Sequence, residues 1–256
     1  MLLNEFKDRI LLLIKFGELE NLKKLQRGKI YCKNLKFYSD QEKNTGDKIM
    51  GDYLEGKHKL NKCTAKIYNS QTKELEYEVK NTDIVISIDN FEKIPVFCMA
   101  GIATNDLSFE RENEVTFSTN AKLIEILNGV SNESYWNSAL IITNISEFIN
   151  RIKESCKNQG LELQDGFVNY TDMNKNYTDR NENVIENIAN IAFWKDNSYS
   201  YQHEYRFAFT NKLVDDNFIL DIGDISDISR IYDEKELIRF MNENLKIELK
   251  KERKLI

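Results

Sequence analysis

The sequence predicts an α+β fold: a single domain over residues 1–256 in which a mixed or antiparallel sheet is flanked by helices. Three observations carry this reading. Short apolar runs of strand length alternate with stretches of helical periodicity. No Gly-, Ser- or Pro-rich linker divides the chain, and no internal repeat is visible. Hydrophobic residues at 41% and charged residues at 30% are the proportions of a globular chain with a core to bury.

Ile10 to Phe16 is largely apolar on both faces and too short for a lone helix, so it reads as a buried strand. Glu18 to Arg27 follows as a helix. Leu19, Leu22 and Leu25 form one stripe, the acids Glu18 and Glu20 precede the bases Lys23, Lys24 and Arg27 as the helix dipole favours, and Gly28 ends it. Lys29 to Lys33 is a second strand, and a helical or turn segment through Leu35, Phe37 and Tyr38 leads into a polar, glycine-bearing loop from Asp40 to Lys59. Cys63 to Tyr68, Leu75 to Val79 and Ile84 to Ile88 predict hairpins or a meander. Pro95 to Ala103 predicts a longer buried strand. Ala121 to Leu127 and Ile145 to Cys156 have helical periodicity and bracket another buried strand, Ala139 to Thr143. Asn169 to Asn183 is rich in Asn, Asp and Tyr and reads as a surface loop. Strict alternation predicts a strand from Tyr199 to Phe209, Phe218 to Ile222 and Ile228 to Tyr232 read likewise, and Glu234 to Leu245 is expected as a closing helix.

A formal net charge of −6 repels phosphate backbones, so extended nucleic-acid binding needs a local basic patch. Lys246 to Lys254 is the basic run, read as a solvated helix terminus. The longest apolar run, within Ile10 to Phe16, is far short of the roughly 20 residues that span a bilayer. Asn4, Glu5, Lys7 and Asp8 interrupt any signal-peptide apolar region, so the expected setting is the cytoplasm, without a membrane partner. Cys32, Cys63, Cys98 and Cys156 are over thirty residues apart with no CxxC pair, as expected of ordinary buried thiols rather than a zinc or redox motif.

The segment that concentrates chemistry is Tyr199 to Arg206. Side chains alternate across a strand, so Tyr199, Tyr201, His203, Tyr205, Phe207 and Phe209 fall on one face, with His203 as a core histidine. Gln202, Glu204 and Arg206 fall on the other, about 7 Å apart. Charges on a strand this apolar must be paired or functional. They either form an interior ion network or hold Glu204 rigidly at a cleft, with Gln202 as a neutral hydrogen-bonding neighbour. A second cluster lies between Gly46 and Gly56, where Asp47, Asp52 and Glu55 accompany glycines that permit close backbone approach. It suits Mg²⁺, ribose hydroxyls or a plain polar turn. The spacing excludes an EF-hand, and no GxSxG, GxxxxGK[ST], HExxH or GxGxxG motif occurs.

Lys15 to Tyr31, Gly51 to Gly56 and Tyr201 to Arg206 together resemble, in order along most of the chain, the abortive-infection and DUF2971-like families of bacterial proteins. The layout is also similar to the ADP-ribosyltransferase fold. That resemblance implies a nucleotide or other small-molecule ligand, with NAD as the substrate, and a protein or nucleic-acid acceptor. It implies Glu204, Gln202 and Arg206 as catalytic residues. It also implies Lys15, Phe16, Tyr31, Asp52, Tyr53, Glu55 and Ser118 on the nucleotide, Ser118 by likeness to a Ser-Thr-Ser strand. In such enzymes the glutamate holds the ribose 2′-hydroxyl as nicotinamide leaves, a logic parallel to glycoside cleavage. Lys15 stands where those enzymes carry Arg or His, and the stretch from Thr119 to Gln202 is long for them. Two other readings stay open: a metal-dependent nuclease or nucleotide hydrolase in which Asp52, Glu55 and Glu204 collect Mg²⁺, and a non-enzymatic sensor or binding module of a phage-defence system.

Overall fold

The structure is a computed structural model, and it describes residues 9–46, 51–88, 90–104, 138–233 and 236, with the backbone alone at 108–109, 116–118 and 246–248. In chain order the elements begin with β1 (Ile10–Gly17), α1 (Leu19–Gln26), β2 (Lys29–Asn34), α2 (Leu35–Thr45), β3 (Lys57–Tyr68), β4 (Leu75–Ser87) and β5 (Pro95–Ala103). They continue with β6 (Ser108–Phe109), β7 (Thr116–Ser118), β8 (Ser138–Ile142), α3 (Ile145–Gln159), β9 (Leu163–Phe167), β10 (Asn169–Thr171) and α4 (Thr178–Glu186). The last are β11 (Trp194–Asp196), β12 (Glu204–Phe209), β13 (Asn217–Asp221), β14 (Ser229–Asp233) and β15 (Lys246–Glu248). Single 3₁₀ segments lie at Phe91–Lys93, Ile188–Phe193 and Asn197–Gln202.

The protein is α+β, built on an eight-stranded antiparallel sheet that branches at β5. One edge of β5 takes β12, which in turn takes β9. The other edge is shared: Pro95 and Val96 pair with β2, whereas Ala100 to Ala103 pair with β1. From β1 the sheet runs on through β8 to β14, and from β2 to β13. The strand with the charged residues, β12, is therefore central, and all six of its residues are buried.

One sheet face forms the main core. Leu13, Ile30, Phe97, Met99, Leu140, Tyr205, Phe207 and Phe209 pack there against Leu22 and Leu25 of α1 and against Phe148, Ile152 and Cys156 of α3. These helical positions recur at spacings of three and four, which is why both helices present one apolar stripe. Helix α3 starts where the Asn144 side chain accepts the Glu147 N–H at 3.1 Å and ends at left-handed Gly160. The turn after α1 needs Gly28: at φ 86 a Cβ there would stand 2.0 Å from the Gly223 carbonyl oxygen.

The opposite face carries a smaller apolar cluster of Leu35, Ile94, Val96, Ala192, Phe193 and Ala208. Glu204 pairs with Ala100, Arg206 with Cys98 and Ala208 with Val96, so the two charges stand on this second face beside that cluster.

Several expectations change. Helix α2 runs on to Thr45, because Asn34 caps it through the Phe37 N–H at 2.9 Å and Gly46 closes it at φ 69, so the predicted loop from Asp40 is shorter. The runs at 75–79 and 84–88 are not separate strands but belong to β4, which forms one long hairpin with β3. The predicted surface loop at 169–183 contains β10 and part of α4, and it buries Arg180. Lys246–Glu248 is a strand pairing with β7, not a helix terminus. The expected helices at 121–127 and 234–245 lie outside the described residues.

The alternation at 199–203 is not a strand either. Asp196 accepts from the Ser198 N–H at 3.0 Å and its hydroxyl at 2.8 Å, starting a 3₁₀ turn over Asn197–Gln202. His203 then adopts a left-handed conformation at φ 45 and is half-buried, not part of the aromatic core. Its carbonyl accepts the Gly101 N–H at 2.8 Å, and the strand begins only at Glu204.

Candidate functional site

The structure joins the two sequence clusters. The turn at residues 51–56 lies over β12, so Glu55 meets Arg206 in a two-pronged pair, Nη1 to Oε1 at 2.7 Å and Nη2 to Oε2 at 3.1 Å. Arg206 Nε donates to Glu204 Oε1 at 2.7 Å, and Nη1 also donates to the Ala192 carbonyl. The guanidinium is thus held on both edges by carboxylates, the geometry in which Arg pairs best.

A residue with no part in the sequence expectations completes the cluster. Lys195, from the short strand β11, donates from Nζ to Gln202 Oε1 at 2.9 Å and to Glu204 Oε2 at 3.4 Å, and lies 3.8 Å from Glu55 Oε2. Its ammonium also sits 4.7 Å from the Tyr199 ring centroid, which is where the 3₁₀ turn sends that tyrosine. Two carboxylates and two cations make the four-residue network electrically neutral. Tyr170 accepts the Glu204 backbone N–H at its hydroxyl at 3.0 Å, and the Cys98 thiol lies against the Glu204 carboxylate.

Burial opposes ionisation of Glu204, but Arg206 and Lys195 outweigh it and hold its pKa at about 2. The same pairing raises Lys195 against the pull of burial, through Glu204 and Glu55. Cys98 is pushed up to about 12 by burial and by Glu204, so it stays a thiol.

Asp52 behaves in the opposite way. It is 3% exposed, and among the described residues its Oδ1 accepts the Leu54 N–H at 2.9 Å while its Oδ2 has no hydrogen-bond partner. Burial and the neighbouring Glu55 raise its pKa to about 7, with Lys195 pulling the other way. Beside it the Tyr199 hydroxyl donates to the Gly51 carbonyl at 2.9 Å.

The remaining expected residues spread out. Tyr53, 45% exposed, flanks Asp52 with Lys57 Nζ 4.2 Å from its ring centroid. Phe16 shares the Glu204 face of the sheet but is buried on β1. Lys15 is on the other face, donating to the Cys98 carbonyl at 2.8 Å and lying 5.1 Å from the Phe97 ring centroid, and so does not meet Glu204. Tyr31 is exposed on β2. Ser118 lies in β7, whose side chains are outside the described residues, as is Asp47. The sequence signal for Lys195 was a single cation closing the apolar stretch 188–194; Tyr170 gave none.

No family model, no curated protein and no solved structure matches this chain. What fold and site define is the class: an α+β protein whose central antiparallel strand carries a buried, charge-balanced cluster. No helix among the described residues is long and apolar enough to cross a membrane.

Proposed function

We propose that the chain is an ADP-ribosyltransferase-like toxin or phage-defence effector of the cytoplasm, which breaks the N-glycosidic bond of NAD and passes ADP-ribose to an acceptor. The observation that supports it is a pair of buried acids driven apart around one lysine, Glu204 ionised with a pKa of about 2 and Asp52 poised near 7. Such divergence marks acid and base assignments in enzyme sites. In this reading the rigid Glu204 carboxylate takes the ribose 2′-hydroxyl and favours the positive charge that develops at C1′. The electrons of the C1′–N bond return to the nicotinamide ring, which leaves neutral and needs no acid. The acceptor's lone pair closes on C1′, and Asp52 takes the acceptor's proton.

Nicotinamide release from labelled NAD in cell lysate tests this. Glu204→Gln and Asp52→Asn are each expected to lower it by about 10²-fold or more, the scale of losing one charged group from a site. No release by the wild-type protein, or release untouched by Glu204→Gln, sinks the reading. A chelator is expected to change nothing, because this transfer needs no metal, whereas loss of activity would favour the metal-dependent reading.

A second reading, a non-enzymatic module of a defence system, is favoured by that same charge balance. A fully paired interior network also serves as a clamp between residues 51–56, β11 and β12. On this reading Glu204→Gln lowers the melting temperature and leaves NAD untouched.

A further inference from the structure

The molecule buries a second arginine that this network does not use. Arg180 lies in the first turn of α4 and is 1% exposed. Its Nη2 donates to the Lys59 carbonyl at 2.7 Å and, at 3.5 Å, to that of Lys175, while Nη1 meets only the Met173 sulfur. Its Nε is buried without any partner. Burial pulls its pKa down, and Tyr177 is the group that opposes this; no carboxylate among the described residues does so. A guanidinium keeps its proton in a protein, so a buried one without a counter-ion is a large cost unless an anion arrives.

The surroundings are short of negative charge but not of donors. Acids are replaced by amides: Asn176 accepts the Asn61 N–H at 2.8 Å and donates to its carbonyl at 2.7 Å, and Asn174 accepts from Lys59 Nζ at 2.9 Å. Asp172 is paired with Lys175 at 3.0 Å, and Asp179 is exposed. Helix α4 starts at Tyr177 without a side-chain cap, which leaves first-turn N–H groups as further donors. His58 is 9% exposed, and its pKa is lowered by burial and by Arg180, with Asn181 acting the other way. A neutral imidazole here can still donate from one ring nitrogen. Buried Asn181 Oδ1 faces the His58 ring, and that contact opposes the lowering of the imidazole pKa.

We propose that Arg180, the His58 ring and the first turn of α4 form a binding site for a phosphate oxyanion, either inorganic phosphate or the phosphate of a monoester. The orphaned donor Arg180 Nε calls for an anionic oxygen. A phosphate oxygen supplies it, and the first-turn N–H groups meet the other oxygens.

Equilibrium dialysis of the full chain at pH 7 and fixed ionic strength, with inorganic phosphate, AMP and sulfate as probes, tests this. One phosphate or AMP is expected to bind per chain, and sulfate to compete for the same site. Binding is expected to weaken at least tenfold in Arg180→Lys, which loses the planar fork, and to vanish in Arg180→Met. Arg151→Met, which removes an exposed guanidinium elsewhere on the molecule, is expected to leave it unchanged. Binding of inorganic phosphate identifies the free ion as the source, and binding of AMP alone identifies a monoester. Absence of saturable binding for both, or binding undiminished in Arg180→Met, overturns the proposal. If Arg180→Met does not fold, undiminished binding in Arg180→Lys overturns it equally.

Discussion

Arg206 and Arg180 are each 1% exposed, yet they are buried in opposite ways. Arg206 is enclosed by Glu55 and Glu204 and shares them with Lys195, so its charge is cancelled from within. Arg180 meets two carbonyls and a sulfur, and one of its donors meets nothing. Removing one partner from a closed ion network strands the others, whereas removing a cation that has no partner strands no carboxylate. The first arginine holds the fold together, and the second keeps a donor that the fold itself does not satisfy.

Arg206→Met breaks the comparison from the strong side. Glu55 and Glu204 would then share only Lys195, and a loss of about 3–5 kcal/mol is expected in urea unfolding. A restored melting temperature in the double variant Glu204→Gln, Arg206→Met, which leaves Glu55 with Lys195 and the site neutral, would confirm that stranded charge is the cause. Next in size is pH dependence. The Asp52 pKa is raised from 3.8 to about 7, so its stabilising contribution is complete below about pH 4 and is lost as pH rises through 7. The span corresponds to about 4 kcal/mol. Asp52→Asn should flatten that slope in melting curves taken from pH 4 to 8. Glu204 has the opposite sign: held at about 2 against an ordinary 4.5, it stabilises above pH 4.5 and fails as pH falls toward 2.

Arg180→Met sharpens the comparison from the weak side. In phosphate-free buffer it should cost no more than about 1–2 kcal/mol, the scale of its hydrogen bonds. A loss matching that of Arg206→Met would show that the two sites are not different in kind. Smallest is Asp227→Asn, which removes an exposed partner 2.6 Å from Arg151 and should change stability by less than about 1 kcal/mol.

How much of this was legible in the sequence follows from which physics acts locally. Glu204 and Arg206 showed themselves because apolar Tyr205 and Phe207 alternate with them on one strand, and period two needs no knowledge of the rest of the chain. Their joining to Glu55, 151 residues away along the chain from Arg206, is tertiary and leaves no local trace. The 3₁₀ turn at 197–202 imitated a strand because tyrosines at 199 and 201 repeat at the strand period, while the Asp196 cap that curls it is a single side chain. Arg180 was hidden in a polar stretch, where α4 buries only that residue and Val184 and gives hardly any apolar stripe to read.

The hairpin of β3 and β4 has a further consequence. It forms a two-stranded sheet of its own, so among the described residues both strands keep an open edge, and Ile67, Tyr77 and Val79 are 49%, 66% and 44% exposed. A long flat ribbon of this kind would be a template for other chains. Lys62 at φ 48 and Asn81 at φ 52 interrupt the ladder, and the register shifts between Leu60 and Cys63 and again before Ala65. Beyond this break Ala65 and Ile67 share one side with Val79 and Tyr77, and Lys66 and Glu78 the other. Leu60 stands opposite Ile84 and Ala65 opposite Val79, so the register is the same on either side and the extra residue at Lys62 on β3 is offset by the one at Asn81 on β4. The paired irregularities break the ladder in mid-ribbon, so a neighbouring molecule meets no long regular strand to extend.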